Sequence, residues 1–369
     1  MADRALHIGV DGRELIGQPT GVGRYLSHIL RAWIADAPTR HRYTVFVPSP
    51  VPPELAAFLP GVHWAVLPDQ KGGTIWEQTR LPGALKSARV DVLFAAGYTA
   101  PVFCPCPFVV AIYDLSYFAH PEWFLPREGL RRRWLTKRAA RRAHSIVTIS
   151  AFSADELAGR LGVDRSRIHL APPGAPPVDV DAPATRDSMV LYVGSLFARR
   201  RIPELVRAFA GTVRTVPRAR LELVGANRPS RDHDPAALSI GVAAATGIAD
   251  RVQWRQYVPD AELVALYRRA RVFAFLSDYE GFGMTPSEAI AHGVPPVLLD
   301  TPVAREVYGS AAWLVPPDLG AIEHALTTLL TDDARHAALV AAGRARLAEF
   351  SWTTSAAVIT RALESAATS

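Results

Sequence analysis

The 369-residue chain lacks any apolar run near the ~20 residues that a membrane-spanning helix needs. It has only two cysteines, Cys104 and Cys106, in the sequence Cys-Pro-Cys. They stand too close together for an easy disulfide and are too few for a zinc site. The N-terminal residues enter a predicted strand at once and lack the pattern of a signal peptide. We therefore expect reduced thiols and a cytoplasmic location.

The overall composition is that of an ordinary soluble globular protein, with 49% hydrophobic and 21% charged residues. The length suggests two domains of ordinary size. The net charge of +6 is compatible with an anionic partner, which could be a phosphate, a lipid headgroup or a nucleic acid. Charge alone does not choose among them.

Apolar runs alternate with helical patterns along the whole chain, and a proline-rich stretch at 172–177 interrupts them. Strands separated by helices indicate parallel sheets that are covered on both faces. The predicted fold class is therefore α/β, with two Rossmann-like, doubly wound lobes facing across a cleft. Strands are predicted at 6–10, 43–47, 62–67, 90–95, 108–113, 145–150, 189–194, 221–224, 252–256, 272–276, 294–299 and 313–315. Helices are predicted at 22–35, 128–142, 151–161, 203–215, 236–247, 260–270, 285–292, 319–331, 333–348 and 353–367.

Residues 272–300 form the most informative segment, a predicted strand–loop–helix–strand unit. We expect Thr285 to cap the helix, with Pro286 at its first position and Glu288 three residues after the cap. A positive helix end with free N–H groups suits a phosphate, and Glu280 and Glu288 could flank one ligand. Alternatively, Glu288 only closes a capping box and Glu280 is a solvated loop residue.

Two further loops could bind phosphates. Gly21 and Gly23 stand at a predicted helix start, where they allow close approach of a ligand or simply form a tight turn. They do not complete the G-x-G-x-x-G pattern of a dinucleotide site. The three arginines at 199–201 precede another helix and oppose its dipole, which favours a diphosphate-binding role over a solvated basic loop.

The predicted helix at 127–142 is strongly basic, with Leu130, Trp134 and Leu135 interleaved among its arginines. This pattern suits an anionic membrane surface or a lipid-pyrophosphate acceptor, and equally a solvated face. No nucleic-acid-binding motif accompanies it. Two Asp-x-Asp sequences, at 179–181 and 232–234, lack the setting of a metal site, so we expect no metal.

Several motifs resemble those of the retaining, GT-B-fold glycosyltransferases of family four. They are Tyr-Val-Gly-Ser-Leu-Phe-x-Arg-Arg at 192–200, Glu-Gly-Phe-Gly-x-x-x-x-Glu at 280–288, His-Gly-Val-Pro at 292–295, Phe-Ser-Trp at 350–352, Thr-Gly-Val-Gly-Arg-Tyr at 20–25 and Ile-Tyr-Asp-Leu-Ser-Tyr at 112–117. The resemblance implies an acceptor-side domain at 1–175, a nucleotide-sugar-binding domain at 176–352, and a last helix at 353–369 that crosses back to the first domain.

The resemblance also implies roles for individual residues. Glu280 would contact the donor sugar and Glu288 the ribose, while Arg200 and the N–H groups near Gly283 would hold the diphosphate. The full implied donor-binding set is Gly21, Gly23, Ser195, Arg199, Arg200, Arg255, Gln256, Tyr257, Gly281, Phe282, Gly283, Met284, Thr285 and Glu288. The donor is a substrate, and no cofactor is implied.

The chain departs from the family pattern at two positions. Ser195 stands where many members have arginine, which increases the burden on Arg199 and Arg200. Tyr113 stands where the family often has the histidine that contacts the sugar. Tyrosine is a poor base at neutral pH. His120 could partly substitute or be a surface histidine, and Asp114 could orient a sugar hydroxyl or an acceptor.

The resemblance thus implies a retaining transferase that moves a hexosyl group from GDP-mannose or a UDP-sugar to a hydroxyl of a glycan or glycolipid. It also implies a same-face transfer in which the leaving diphosphate takes the acceptor proton, so no protein base is essential. Two alternatives remain at this point. One is a non-catalytic nucleotide-sugar-binding partner of another transferase, and the weaker one is an oxidoreductase built on Rossmann lobes.

Overall fold

The computed structural model describes residues 4–17, 21–35, 41–69, 73–179, 186–229 and 233–368. The chain divides into two compact units. Unit 1 comprises Met1–Gly174 and Ser351–Ser369, and unit 2 comprises Ala175–Phe350. Among the described residues, no helix combines the length and the hydrophobicity that crossing a membrane requires.

Unit 1 contains a seven-stranded sheet in which all paired neighbours run parallel, in the order β3-β2-β1-β4-β5-β6-β7. Its strands are β1 (His7–Asp11), β2 (Arg42–Val47), β3 (His63–Val66), β4 (Val92–Ala95), β5 (Phe108–Ala111), β6 (Ser145–Thr148) and β7 (Ile168–Leu170). Its helices are α1 (Gly21–Ala35), α2 (Pro53–Phe58), α3 (Gly73–Thr79), α4 (Leu81–Ser87), α5 (Ser116–Ala119), α6 (Pro126–Arg142), α7 (Ala151–Leu161) and, from the C-terminus, α15 (Trp352–Ala367).

Unit 2 contains a six-stranded sheet, again with parallel neighbours, in the order β10-β9-β8-β11-β12-β13. Its strands are β8 (Met189–Val193), β9 (Arg220–Val224), β10 (Val252–Arg255), β11 (Val272–Phe275), β12 (Pro296–Leu299) and β13 (Trp313–Val315). Its helices are α8 (Ile202–Thr215), α9 (Pro235–Ala245), α10 (Asp260–Arg269), α11 (Met284–Ala291), α12 (Pro302–Val307), α13 (Leu319–Thr331) and α14 (Asp333–Leu347). The predicted α/β class with two parallel sheets is confirmed.

The central strands are apolar throughout because helices cover both faces of each sheet. Every residue of β4, β5, β8 and β11 is buried. The helices follow the 3.6-residue period instead, so that α8 buries Leu205, Val206 and Phe209 on one side. Serine and aspartate side chains begin several helices, as at Ser150 and Asp318, where each accepts a hydrogen bond from a backbone N–H of the first turn.

The last helix packs on unit 1. The Trp33 indole of α1 donates to the carbonyl of Ala356 at 3.2 Å. The Tyr25 and Trp352 rings meet edge to face, with their centroids 5.5 Å apart. Residues 351–368 thereby bury aromatic and aliphatic surface against the N-terminal residues of the same unit.

Both sheets reverse their strand order once. In unit 1 the reversal lies between β1 and β4, and in unit 2 between β8 and β11. Open α/β sheets bind ligands outside the carboxyl ends of the strands at such a switch point. The loops that leave these four strands are therefore the positions to inspect for chemistry.

One backbone contact near the switch point of unit 2 leaves no room for a side chain. A Cβ added at Gly225, after β9, would lie 1.9 Å from the carbonyl oxygen of Gly194, and Gly225 has a φ of +146°. Gly225→Ala should therefore lower the free energy of unfolding by about 2 kcal/mol or more, as overpacking and backbone strain add. Chemical denaturation measures this loss.

The matched control is Gly241→Ala in α9, where an added Cβ would meet nothing within 4 Å. Alanine is the better helix former, so this variant should gain up to about 1 kcal/mol. Equal stability of the two variants would contradict the close approach of the loops.

Candidate functional site

The loop that follows β11 holds a charged pair at the switch point of unit 2. The Arg200 Nη1 atom lies 2.7 Å from Glu280 Oε1, and the Ser277 hydroxyl donates to the same oxygen at 2.6 Å. The Arg200 guanidinium also lies 4.3 Å from the centroid of the Phe275 ring. The Glu280 carboxylate is thus fixed through Oε1, which leaves Oε2 to accept hydrogen bonds from a ligand.

The loop that follows β8 is tied to the same segment. The Asp278 N–H donates to the Arg199 carbonyl at 3.0 Å, and the Arg201 Nε donates to an Asp278 carboxylate oxygen at 2.6 Å. Arg201 therefore neutralises Asp278 and is not available to a phosphate, whereas the Arg199 guanidinium lies over the Phe197 ring. These ties, together with the pair of Arg200 and Glu280, bring the two loops together as one surface.

Helix α11 begins one residue earlier than predicted. It starts at Met284, with Gly283 at the N-cap in the left-handed conformation (φ +87°) and no side-chain cap. The prediction that Thr285 caps the helix is therefore wrong, because Thr285 already lies inside the first turn. A left-handed residue at this point favours glycine, and Gly283 supplies it.

Tyr308 contacts the start of α11 through its hydroxyl. The Tyr308 hydroxyl donates to the Gly283 carbonyl and lies 3.0 Å from the Ser287 hydroxyl. Burial raises the pKa of this phenol, so it stays protonated at neutral pH. Because no side chain caps the helix, the N–H groups of Met284 and Thr285 remain at a positive helix end.

Glu288 does not close a capping box. Its carboxylate accepts a hydrogen bond from the Tyr267 hydroxyl at 3.2 Å. The Tyr267 ring in turn stacks on His292, with centroids 5.1 Å apart. This side chain is therefore oriented by α10 instead of by its own helix start. Glu280 thus lies in the loop before α11, and Glu288 lies within the helix.

Arg255, Gln256 and Tyr257, which the resemblance places near the base of the donor, lie at the far edge of the sheet. Arg255 ends β10, and its guanidinium pairs with two carboxylates, Glu222 (3.4 Å) and Glu262. Gln256 and Tyr257 follow it, and Tyr257 is 75% exposed. Ser195 leaves β8 at the switch point, where its carbonyl accepts from the Tyr192 hydroxyl at 2.9 Å. The site loop also contains Gly281 and Phe282, both buried.

In unit 1 the hydroxyl of Tyr113 is already engaged. Tyr113 is 5% exposed and donates to the Ala96 carbonyl at 2.8 Å. Burial raises its pKa well above the usual value for tyrosine, so it cannot serve as a base at neutral pH. The neighbouring Asp114 accepts from the Tyr98 hydroxyl at 2.7 Å and from the Ser116 N–H at 2.8 Å. These two hydrogen bonds fix the orientation of the Asp114 carboxylate.

The remaining predicted residues of unit 1 are His120, Gly21 and Gly23. His120 stacks on Trp123 with centroids 3.9 Å apart, and its Nδ1 lies 3.1 Å from a Glu122 carboxylate oxygen. Gly21 begins α1 and is exposed, whereas Gly23 is buried in its first turn.

Sequence reasoning missed a buried ionic cluster at the switch point of unit 1. The Arg13 guanidinium lies 2.9 Å from Glu77 and 3.6 Å from Asp11, and all three side chains are almost fully buried. Burial raises the pKa of both carboxyls, and the positive charge of Arg13 opposes this shift. The signal was the Asp-Gly-Arg-Glu sequence at 11–14, directly after the first strand. Glu77, from a distant helix, carried none.

Two aspartates of the Asp-x-Asp sequences have partners within the protein. Asp179 pairs with Arg268 and with His292, and Asp234 caps α9. Asp181 and Asp232 lie outside the described residues. Across the described ranges, no group of three or more His, Cys, Asp or Glu side chains could hold a metal ion.

Two α/β units with polar loops at their switch points have the arrangement in which open parallel sheets commonly bind ligands. Residues 19–178 match the family described as Glycosyltransferase Family 4, and residues 179–346 match Glycosyl transferases group 1. The chain belongs to the GT-B-fold glycosyltransferases of family four.

Two individual relatives share less than a third of their aligned residues with this chain. O-antigen chain mannosyltransferase B of Escherichia coli is 28% identical over 260 residues, covering 66% of this chain and 66% of that protein. The MMP alpha-(1->4)-mannosyltransferase of Mycolicibacterium hassiacum is 29% identical and is matched over 59% of its length. The matches thus span about three fifths of these relatives. The crystal structure of Anabaena HepE in complex with UDP and glucose has a TM-score of 0.76, at 18% identity, over 98% of this chain and 100% of that chain. That likeness is one of fold.

The Tyr308 hydroxyl contacts the start of α11, and a substitution that removes one oxygen atom tests this contact. Tyr308→Phe should lower the free energy of unfolding by about 1–2 kcal/mol, because it leaves the partly buried Gly283 carbonyl and the buried Ser287 hydroxyl without this partner. Thermal or chemical unfolding measures the loss. The exposed Tyr257→Phe is the control and should be neutral. A neutral Tyr308→Phe would mean that the Gly283 turn is held by its glycine alone.

Proposed function

We propose that this chain is a retaining hexosyltransferase that uses a nucleoside-diphosphate sugar and glycosylates a hydroxyl of a glycan or glycolipid. The observation that carries the proposal is the cluster at the switch point of unit 2. There Glu280, Arg200 and the uncapped start of α11 lie together. A carboxylate suits sugar hydroxyls, and a guanidinium beside free backbone N–H groups suits a diphosphate.

The chemistry requires little of the protein beyond charge and position. The bond between the anomeric carbon and the diphosphate oxygen breaks, and the acceptor oxygen bonds to that carbon on the same face. The acceptor proton passes to the leaving diphosphate. Arg200 and the helix terminus stabilise the negative charge that develops on the leaving group. The engaged hydroxyl of Tyr113 supports a mechanism without a protein base in its place.

We also propose that no metal takes part, since Arg199, Arg200 and the positive end of α11 supply cationic character beside the leaving group. Activity should then survive EDTA. For the donor, the relatives named as mannosyltransferases favour GDP-mannose, whereas the structural neighbour was solved with UDP and glucose. A thermal-shift series with GDP, UDP and ADP identifies the base first, because stabilisation rises with occupancy.

Two variants test the assignment once the base is known. Glu280→Ala should lower kcat by about 100-fold or more, since it removes a contact to the reacting sugar. Arg200→Ala should weaken nucleoside-diphosphate affinity about tenfold, the value of a charge-assisted hydrogen bond. Steady-state kinetics and calorimetry measure these effects.

Arg207→Ala, which removes an exposed arginine from α8, is the charge-matched control and should change neither quantity. Wild-type turnover of Glu280→Ala would refute the site. A protein that binds the donor with no transfer or hydrolysis would instead be a nucleotide-sugar-binding partner of another transferase.

We further propose that α6 attaches the protein to the cytoplasmic face of an anionic membrane. Leu130 and Trp134 are 64% and 57% exposed and lie one turn apart. Cationic residues at helical spacing share their face: Arg127, Arg131, Lys137, Arg138 and Arg141. Apolar side chains within a cationic face are typical of helices that lie in a lipid interface.

Flotation with vesicles tests the attachment. The wild-type protein should bind vesicles that contain phosphatidylglycerol, more weakly as salt rises, and ignore pure phosphatidylcholine. Leu130→Ser with Trp134→Ser should abolish binding. The control is the double variant Leu238→Ser with Ile240→Ser, which removes exposed apolar side chains from the uncharged α9. This variant should still bind the vesicles. Equal binding by both double variants would place the contact elsewhere.

A further inference from the structure

The switch point of unit 1 contains an arginine that no step of the proposed transfer uses. Arg13 follows β1, and the turn of residues 97–99 follows β4. The Arg13 Nη2 atom donates to the Gly97 carbonyl and to the Thr99 hydroxyl, both at 2.9 Å. Its Nη1 atom pairs with Glu77 at 2.9 Å. The planar guanidinium therefore fixes both ends of the turn at once.

The residue between those two ends is strained. Tyr98 has a φ of +66°, a region that bulky side chains rarely adopt. Its N–H donates to the Ala111 carbonyl at 2.9 Å, and its hydroxyl donates to Asp114 at 2.7 Å. A strained backbone persists only where its surroundings hold it, and here Arg13 holds its neighbours.

The cluster is a poor device for stability alone. Asp11, Arg13 and Glu77 are buried charges, and the Asp11 Oδ2 atom has no hydrogen-bond partner among the described residues. Apolar residues of similar size usually stabilise such a site equally well or better. The three charged side chains instead fix the conformation of the 97–99 turn. Through Tyr98, that turn orients the carboxylate of Asp114.

We propose that Arg13 is a positioning residue that acts through Tyr98 to orient the Asp114 carboxylate toward a hydroxyl of the acceptor. This inference rests on the proposed transferase function. Asp114 accepts from Tyr98 and Ser116 and retains lone pairs for a further donor such as an acceptor hydroxyl. Without Arg13 the turn relaxes, Tyr98 leaves its strained conformation, and Asp114 loses its orientation.

The kinetic test uses Arg13→Lys, Tyr98→Phe, Asp114→Asn and the double variant of Arg13→Lys with Asp114→Asn. Each single variant should raise the acceptor KM about tenfold, with the donor KM changed less than about twofold. In the Asp114→Asn background, Arg13→Lys should add little, because both changes act on one contact. The control Tyr43→Phe removes a hydroxyl from β2, where the ring stacks on Trp33, and should leave both KM values unchanged.

A spectroscopic test needs no substrate and so remains decisive even if no transfer is found. In protein with ¹³C-labelled tyrosine side chains, Tyr98→Phe assigns the Tyr98 resonance. That resonance should move in Asp114→Asn and in Arg13→Lys, and stay in Tyr43→Phe, whose ring stacks on Trp33. If Arg13→Lys does not fold, Thr99→Val takes its place in the test, because it removes one of the contacts of Arg13.

An unmoved Tyr98 resonance in the Arg13 and Thr99 variants would overturn the inference, whatever the activity. The inference would also be overturned if the Arg13→Lys variant had a lower melting temperature but a wild-type acceptor KM. Coupled resonances without any transfer would instead refute the proposed function and keep the structural link.

Discussion

The contact between the Arg200 guanidinium and the Glu280 carboxylate is the interaction on which the site of unit 2 depends. It joins two loops that leave different strands, and the bond from the Asp278 N–H to the Arg199 carbonyl reinforces the junction. Both side chains are mostly buried, so solvent screens them less than a surface pair. Parallel strands place their carboxyl ends at one edge of the sheet, and the pair converts that placement into a defined surface.

The geometry around α11 leaves the N–H groups at its start without a side-chain cap. Gly283 turns the chain without a side-chain cap, so the first N–H groups of the helix stay available. Tyr308 binds the carbonyl of the turn from beneath, and Tyr267 holds Glu288 against α10. Each support contacts a carbonyl or a carboxylate and leaves the donors of the helix start unused. Preorganised donors of this kind cost no rearrangement when charge develops.

Hydrophobic periodicity predicted the long elements well, because helices such as α7 and α13 carry clear start signals and a regular apolar face. It missed the short edge strand β7 and small helices such as α2, whose few residues give no period to count. At the site, motifs located Glu280 and Arg200 but not their pairing, which depends on tertiary packing. Thr285 was misassigned as a cap since local sequence cannot show that Gly283 adopts a left-handed conformation.

The two switch points differ in the charges that they carry. In unit 2, three arginines face two carboxylates, and the helix terminus adds positive character, which favours a diphosphate. In unit 1, a single buried arginine faces Asp11 and Glu77, with Glu14 nearby, so the cluster repels anions. Carboxylates that accept hydrogen bonds suit the neutral hydroxyls of a sugar. The proposed assignment, with the diphosphate in unit 2 and a neutral hydroxyl in unit 1, is consistent with this difference in charge.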